Sequence, residues 1–205
     1  MYAKTAGKNH DLATIKVSAA VVFELEWVAR RVESSTGVHF FKTVEWDPRN
    51  ASSGAITILT DASLAGLAFY VPEFKLGFQA RLPTGASREH IFFFEALAVC
   101  SAFHYFADMT DWKVDRLIVF SDNTNTIDIF DSLRAIPPYS RILISAMTKV
   151  LNNHIDFRVL HIRGVNNSIS DALSRYLNDL AISLCPGLVI REFEPPLDAL
   201  GAIKK

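Results

Sequence analysis

"AITILTDASLAGLAFYVPEFKLGFQARL", residues 55–82, holds three apolar runs separated by short polar breaks. The first, AITILTDA, is rich in β-branched residues and ends in Asp61. The second (65–71, AGLAFYV) and third (74–82, FKLGFQARL) flank a tight Pro72–Glu73 turn. Short apolar runs bounded by turn residues read as strands, and connections this short make an antiparallel meander. Downstream the pattern changes. TGAS supplies a helix start, with Ser87 as N-cap, for a helix running to about Asp108. VDRLIVFSD is a fourth buried strand, ending in Asp122. TNTIDIFDSLRA is a helix stopped by Pro137 and Pro138, and SRILISAMTKVLNN is a second, amphipathic one. IDFRVLHIRG is a fifth strand, and ISDALSRYLNDLA a last helix. Strands that return through helices run parallel. The order β-β-β-α-β-α-α-β-α therefore predicts an α/β fold. It has a five-stranded mixed sheet, three antiparallel strands followed by parallel returns, with helices on both faces.

Upstream, SAAVVFELEWVARRVESS (18–35) carries Val21, Val22, Leu25, Val28 and Val32 at helical spacing. A boundary falls in the turn-rich Pro48–Gly54 stretch, and the chain after Pro186 is Pro-rich. The expected organisation is an N-terminal arm with a helix (1–54), one α/β domain (55–180) and an irregular tail (181–205). The chain has 205 residues, enough for a core without staples. No apolar run reaches the ~18 residues of a membrane span, and the polar start MYAKTAGKNHDLATIK lacks a signal-peptide core. Cys100 and Cys185 make neither a disulfide framework nor a metal cluster, which predicts an intracellular protein with reduced thiols. The net charge of −1 lacks the basic excess of a dedicated duplex binder. Any grip on nucleic acid is then modest, or is shared with a neighbouring domain.

The acids carry the chemistry. Asp61 and Asp122 each close an apolar strand, at the carboxyl edge where open α/β sheets bind ligands. If those strands are neighbours, the two carboxylates repel unless a cation lies between them. Carboxylate oxygens suit Mg²⁺ and Mn²⁺. Glu95 is the single charge in IFFFEALAVC (91–100). Burying it unpaired costs several kcal/mol, roughly, so a helix crossing the sheet should aim it at the same strand ends. Asp171, early in the last helix, closes the group. Four carboxylates around two ions about 4 Å apart make a two-metal phosphoryl-transfer site. Each acid also has a plainer reading. Asp61 serves equally as a turn residue, Asp122 as an N-cap, and Asp171 as a first-turn acid favouring the helix dipole. It is their joint placement that points to metal.

These residues together resemble the ribonuclease H superfamily, whose Asp–Glu–Asp–Asp order they follow. HIRGVNNSISDALSR (161–175) is similar to the signature His-Ile-x-Gly-x-x-Asn…Ala-Asp-x-Leu-Ser-Arg of retroelement reverse transcriptases. TDAS and FSDN resemble the same gypsy-like and DIRS-like group. FELEWVARRV resembles the helix that links polymerase to ribonuclease H in DIRS-like enzymes. The resemblance covers residues 55–180, roughly. It implies that Asp61, Glu95, Asp122 and Asp171 are ligands of two Mg²⁺ or Mn²⁺ ions. It further implies cleavage of the RNA strand of an RNA–DNA hybrid, giving 3′-hydroxyl and 5′-phosphate ends, either beside a reverse transcriptase polymerase domain or as a free-standing descendant of such an enzyme. No polymerase-type acid pair precedes residue 55.

Under that resemblance, backbone groups from Ser63 to Gly66 face the RNA sugar edge. Asn123 and Asn125 reach the minor groove, where 2′-hydroxyls mark RNA, or else cap their helix. Arg163 and Arg175 hold phosphate, or are solvated surface arginines. Asn166 shapes the loop before the last helix, or makes an ordinary Asx turn. Cellular members carry a histidine in that loop; here it reads RGVNNSIS, and His161 stands earlier, as a packed or capping residue. Phe92, Phe93 and Phe94 belong to the core rather than to a stacking platform, because a helix turns them to different sides. Two other readings predict different behaviour: a non-catalytic scaffold of the same fold, and a nuclease acting on DNA.

Overall fold

A computed structural model describes residues 17–34, 46–48, 54–83, 91–109 and 114–200. The chain divides into two compact units, Met1–Glu45 and Trp46–Lys205. The first contributes helix α1 (Ala19–Glu33), where none of the described residues is buried. Arg30 and Arg31 in its last turn complement the helix dipole.

The second unit is a six-stranded sheet with helices on both faces. Its elements are β1 (Ile56–Ala62), β2 (Gly66–Val71), β3 (Leu76–Arg81), α2 (Ile91–Ala107), β4 (Arg116–Ser121), α3 (Thr124–Ser132) and α4 (Tyr139–Asn152). They continue with β5 (Asp156–His161), α5 (Ser168–Ser174), α6 (Asn178–Leu184), β6 (Val189–Glu192) and α7 (Leu197–Leu200). Strand order is β5-β4-β1-β2-β3-β6. β1–β2 and β2–β3 are antiparallel, whereas β1–β4, β4–β5 and β3–β6 are parallel. The meander and the parallel returns are as the sequence predicts.

Two expectations are corrected. The sheet has six strands rather than five, because the stretch 181–205, expected to be an irregular tail, supplies the end of α6 and then β6 and α7. Val189 N–H bonds to the Lys75 carbonyl and Phe193 N–H to that of Gln79, which seats β6 on the edge of β3. The last helix is also broken in two. Tyr176 takes a left-handed φ of 58°, Leu177 N–H reaches back to Ala172 O and Tyr176 N–H to Leu173 O. That is the Schellman ending, with tyrosine where glycine is usual, so the sequence gives no warning of it. Ser87 and its proposed cap lie outside the described residues.

The sheet buries both faces. On one, Ile58, Leu67, Phe69, Phe78 and Ala80 pack beneath α2, α3 and α4. On the other, Ala68 and Tyr70 meet Ala172 and Leu173 of α5, and Ala181 and Cys185 beyond. β2 is buried at every residue. Phe93 and Phe94 are core, but Phe92 is 46% exposed because its turn of α2 faces outward, contrary to the expectation for the triplet. Among the described residues, no helix is long and apolar enough to cross a membrane.

Candidate metal centre

Three of the four predicted acids converge. β1 and β4 are parallel neighbours in the register Leu59↔Phe120. Asp61 and Asp122 each lie two residues past that pair, so they leave the sheet side by side. Glu95 comes from the first turns of α2, which packs on β1, and accepts a hydrogen bond from the Ala62 backbone N–H. One ligand oxygen from each of Asp61, Glu95 and Asp122 lies within 4.8 Å of the others. Asp61 and Glu95 are buried; Asp122 is half-buried.

Burial is the main reason the first two carboxyls hold their protons. Desolvation, and then the charges of Asp171 and Asp122, raise Asp61 to about 7 against a hydrogen bond from Ser174 that pulls the other way. Desolvation, followed by the Asp61 and Asp122 charges, raises Glu95 to about 9. Glu95 Oε2 is buried without a hydrogen-bond partner. An orphaned carboxylate oxygen facing two further acids is the donor set a hard divalent cation takes. The residues present fit such an ion.

Asp171 stands apart from this trio. Its Oδ1 accepts from Arg175 Nε (2.9 Å) and Nη2 (2.8 Å), one helical turn on. Its charge nevertheless reaches Asp61. The remaining predicted contacts divide. Ser63 is buried: its Oγ donates to Ser174 O (2.8 Å) and accepts from Ala65 N–H (3.0 Å). A Cβ on Gly66 would come within 2.5 Å of Ala80 O and 2.7 Å of Tyr176, so this glycine permits close packing. The exposed part of that turn is Leu64–Ala65. Asn123 is the N-cap of α3, accepting from Thr126 N–H at 3.1 Å. Asn125, Arg163 and Asn166 are exposed. His161 is exposed at the end of β5, which is against the packed one of its two expected roles, packed or capping.

Residues the sequence did not single out tie α5 and the loop before it to β1. Asn167, not Asn166, anchors the loop before α5. It is 1% exposed, and its Nδ2 donates to Thr60 O at 2.8 Å. Ser170 Oγ donates to Leu59 O at 3.1 Å, and Ser174 Oγ to Asp61 Oδ2 at 2.5 Å. Positions 167, 170 and 174 share one helix face, so their small polar side chains at helical spacing were the available signal. Gly164 is the other omission: a Cβ there would meet Asp122 Oδ2 at 3.2 Å.

No family model and no curated protein matches this chain. Among solved structures it is similar to RNase H1 from the halophilic archaeon Halobacterium salinarum NRC-1. That likeness has 17% sequence identity and a TM-score of 0.47, covering 62% of this chain and 99% of that one.

Proposed function

We propose that this protein is a divalent-cation-dependent ribonuclease H, hydrolysing the RNA strand of RNA–DNA hybrids, as the ribonuclease H part of a retroelement reverse transcriptase. The observation that carries the reading is the convergence of Asp61, Glu95 and Asp122 at the carboxyl ends of two parallel strands. The similarity of HIRGVNNSISDALSR to the retroelement signature supports the choice of substrate.

Asp61, Glu95 and Asp122, with Asp171 as fourth ligand, would hold two Mg²⁺ or Mn²⁺ ions. Bound there, such ions supply activation of water and stabilisation of the departing 3′ oxygen. The chain's own groups do the rest. The acids present anionic oxygens once their protons have left. Arg163 and Arg175 face the phosphates. The exposed Leu64–Ala65 backbone and Asn125 meet the sugar edge, where 2′-hydroxyls distinguish RNA. Water adds to phosphorus as the P–O3′ bond breaks, leaving a 5′-phosphate and a 3′-hydroxyl. The loop before α5 carries no histidine to take part in this step.

The test is an end-labelled RNA–DNA hybrid incubated with Mg²⁺ or Mn²⁺, alongside Asp61→Asn and Asp122→Asn. The expected result is cleavage of RNA by the wild type and a loss of about 10²- to 10³-fold in either variant, the scale of removing a preorganised electrostatic group. Binding without cleavage would make the protein a scaffold. Cutting of duplex DNA instead would make it a different nuclease.

A further inference from the structure

Ser174 is fully buried, yet through its hydroxyl and its backbone carbonyl it meets three parts of the site. Its Oγ donates to Asp61 Oδ2 at 2.5 Å and lies 3.0 Å from the Asp171 carbonyl, one turn back in α5. Its own carbonyl accepts from Ser63 Oγ at 2.8 Å, and Ser63 Oγ in turn accepts from the Ala65 and Gly66 N–H groups of the β1–β2 turn. One residue thus ties a metal-ligand carboxylate, the helix bearing a second acid, and the turn next to the first. A serine in a helix usually spends its hydroxyl on a backbone carbonyl of the preceding turn. Here the shorter bond goes to a carboxylate on another element.

We infer that Ser174 is a positioning residue. It fixes the rotamer of the Asp61 carboxylate and links that carboxylate directly to the helix that bears Asp171, so that the acids present a preformed cation site. This rests on the proposed metal-dependent function. Physically, a carboxylate with one oxygen committed to a buried donor cannot swing, and its other oxygen is left directed for coordination. Partners that orient metal ligands typically change affinity or activity by roughly ten- to a hundredfold when removed.

Ser170 provides the control. It is equally buried, sits on the same face of α5, and makes an equivalent bond, but to the Leu59 carbonyl rather than to an acid. The experiment titrates Mn²⁺ alone into wild type, Ser174→Ala and Ser170→Ala by calorimetry, and separately measures kcat and KM on a hybrid. Both variants should lose comparable stability in urea. Ser174→Ala should weaken Mn²⁺ binding about tenfold or more and lower kcat with little change in KM. Ser170→Ala should stay within about twofold of wild type in Mn²⁺ affinity. If Ser174→Ala does not fold, Ser174→Cys, similar in shape but a weak donor, takes its place with the same expectation. Equal Mn²⁺ affinities in the two serine variants would overturn the inference and leave the metal-dependent function standing. A wild type that binds no Mn²⁺ would overturn both.

Discussion

Asp61 and Asp122 are neighbours across a parallel pair of strands: each lies two residues beyond the Leu59–Phe120 register pair. Parallel pairing gives both side chains the same pleat phase, so two like charges end up adjacent by construction. Glu95, added from α2, makes the group three. With no cation, the least costly state is one in which some of these acids are protonated.

Proton linkage follows from that. The folded chain holds the Asp61 proton to about 7 and the Glu95 proton to about 9, against ordinary values of 3.8 and 4.5. Between those limits the folded state binds more protons than the unfolded one, so the contribution of these groups to stability falls as pH rises. It is fully present below about pH 4 and lost by about pH 9. Urea denaturation in EDTA, from pH 5 to 9.5, should show this decline, and Glu95→Gln should flatten its upper part. Mn²⁺ should stabilise more as pH rises, since it competes with those protons. A metal-free stability as steep in Glu95→Gln as in wild type above pH 7 would contradict this.

Gly164 should be sensitive for reasons of space. A methyl at this position comes 3.2 Å from Asp122 Oδ2, so Gly164→Ala must displace either the loop or the carboxylate. Hybrid cleavage should fall about tenfold, given that ångström-scale misplacement costs up to about a hundredfold. Thermal denaturation should show a loss under about 1 kcal/mol, since the loop is exposed.

Trp46 anchors the opposite edge of the sheet. Its Nε1 donates to Asp156 Oδ2 at 2.5 Å, and the guanidinium groups of Arg116 and Arg158 lie 5.5 and 5.2 Å from the ring. Trp46→Ala should destabilise by about 3 kcal/mol in urea, the usual scale for truncating a large buried aromatic. Cleavage per folded molecule should be unchanged, because Arg116 and Asp156 begin their strands and the acids lie beyond the other end.

Cys100 and Cys185 are both buried, and Cys185 sits 3.4 Å from the Tyr70 hydroxyl. Burial also raises the Cys100 thiol well above its ordinary value. Neither should react with a thiol reagent until the protein unfolds. Rapid labelling under native conditions would show that the core opens locally.

The acids were legible because each breaks a local rule. Glu95 is a lone charge in an apolar helix, and Asp61 and Asp122 end strands that are otherwise apolar. The sixth strand was hidden for the opposite reason. Val189–Glu192 is four residues long, lies on the sheet edge and is mostly exposed, so it carries no alternation to read. The break at Tyr176 uses a residue that seldom adopts its backbone conformation. Motif position gives the Ser63 backbone to the substrate and Asn166 to the shaping of the loop before the last helix. The Ser63 side chain instead turns inward and ties the β1–β2 turn to α5, and it is Asn167, one residue on, that ties the loop to β1. Which of two adjacent asparagines faces inward depends on packing that periodicity does not encode.

The most direct test is a crystal grown with Mn²⁺ and measured for anomalous scattering. The account predicts a peak within about 2.3 Å of carboxylate oxygens of Asp61, Glu95 and Asp122 together, the coordination distance of a hard divalent ion. A Mn²⁺-saturated crystal with no peak among these three side chains, or with Glu95 turned away from Asp61, would contradict it.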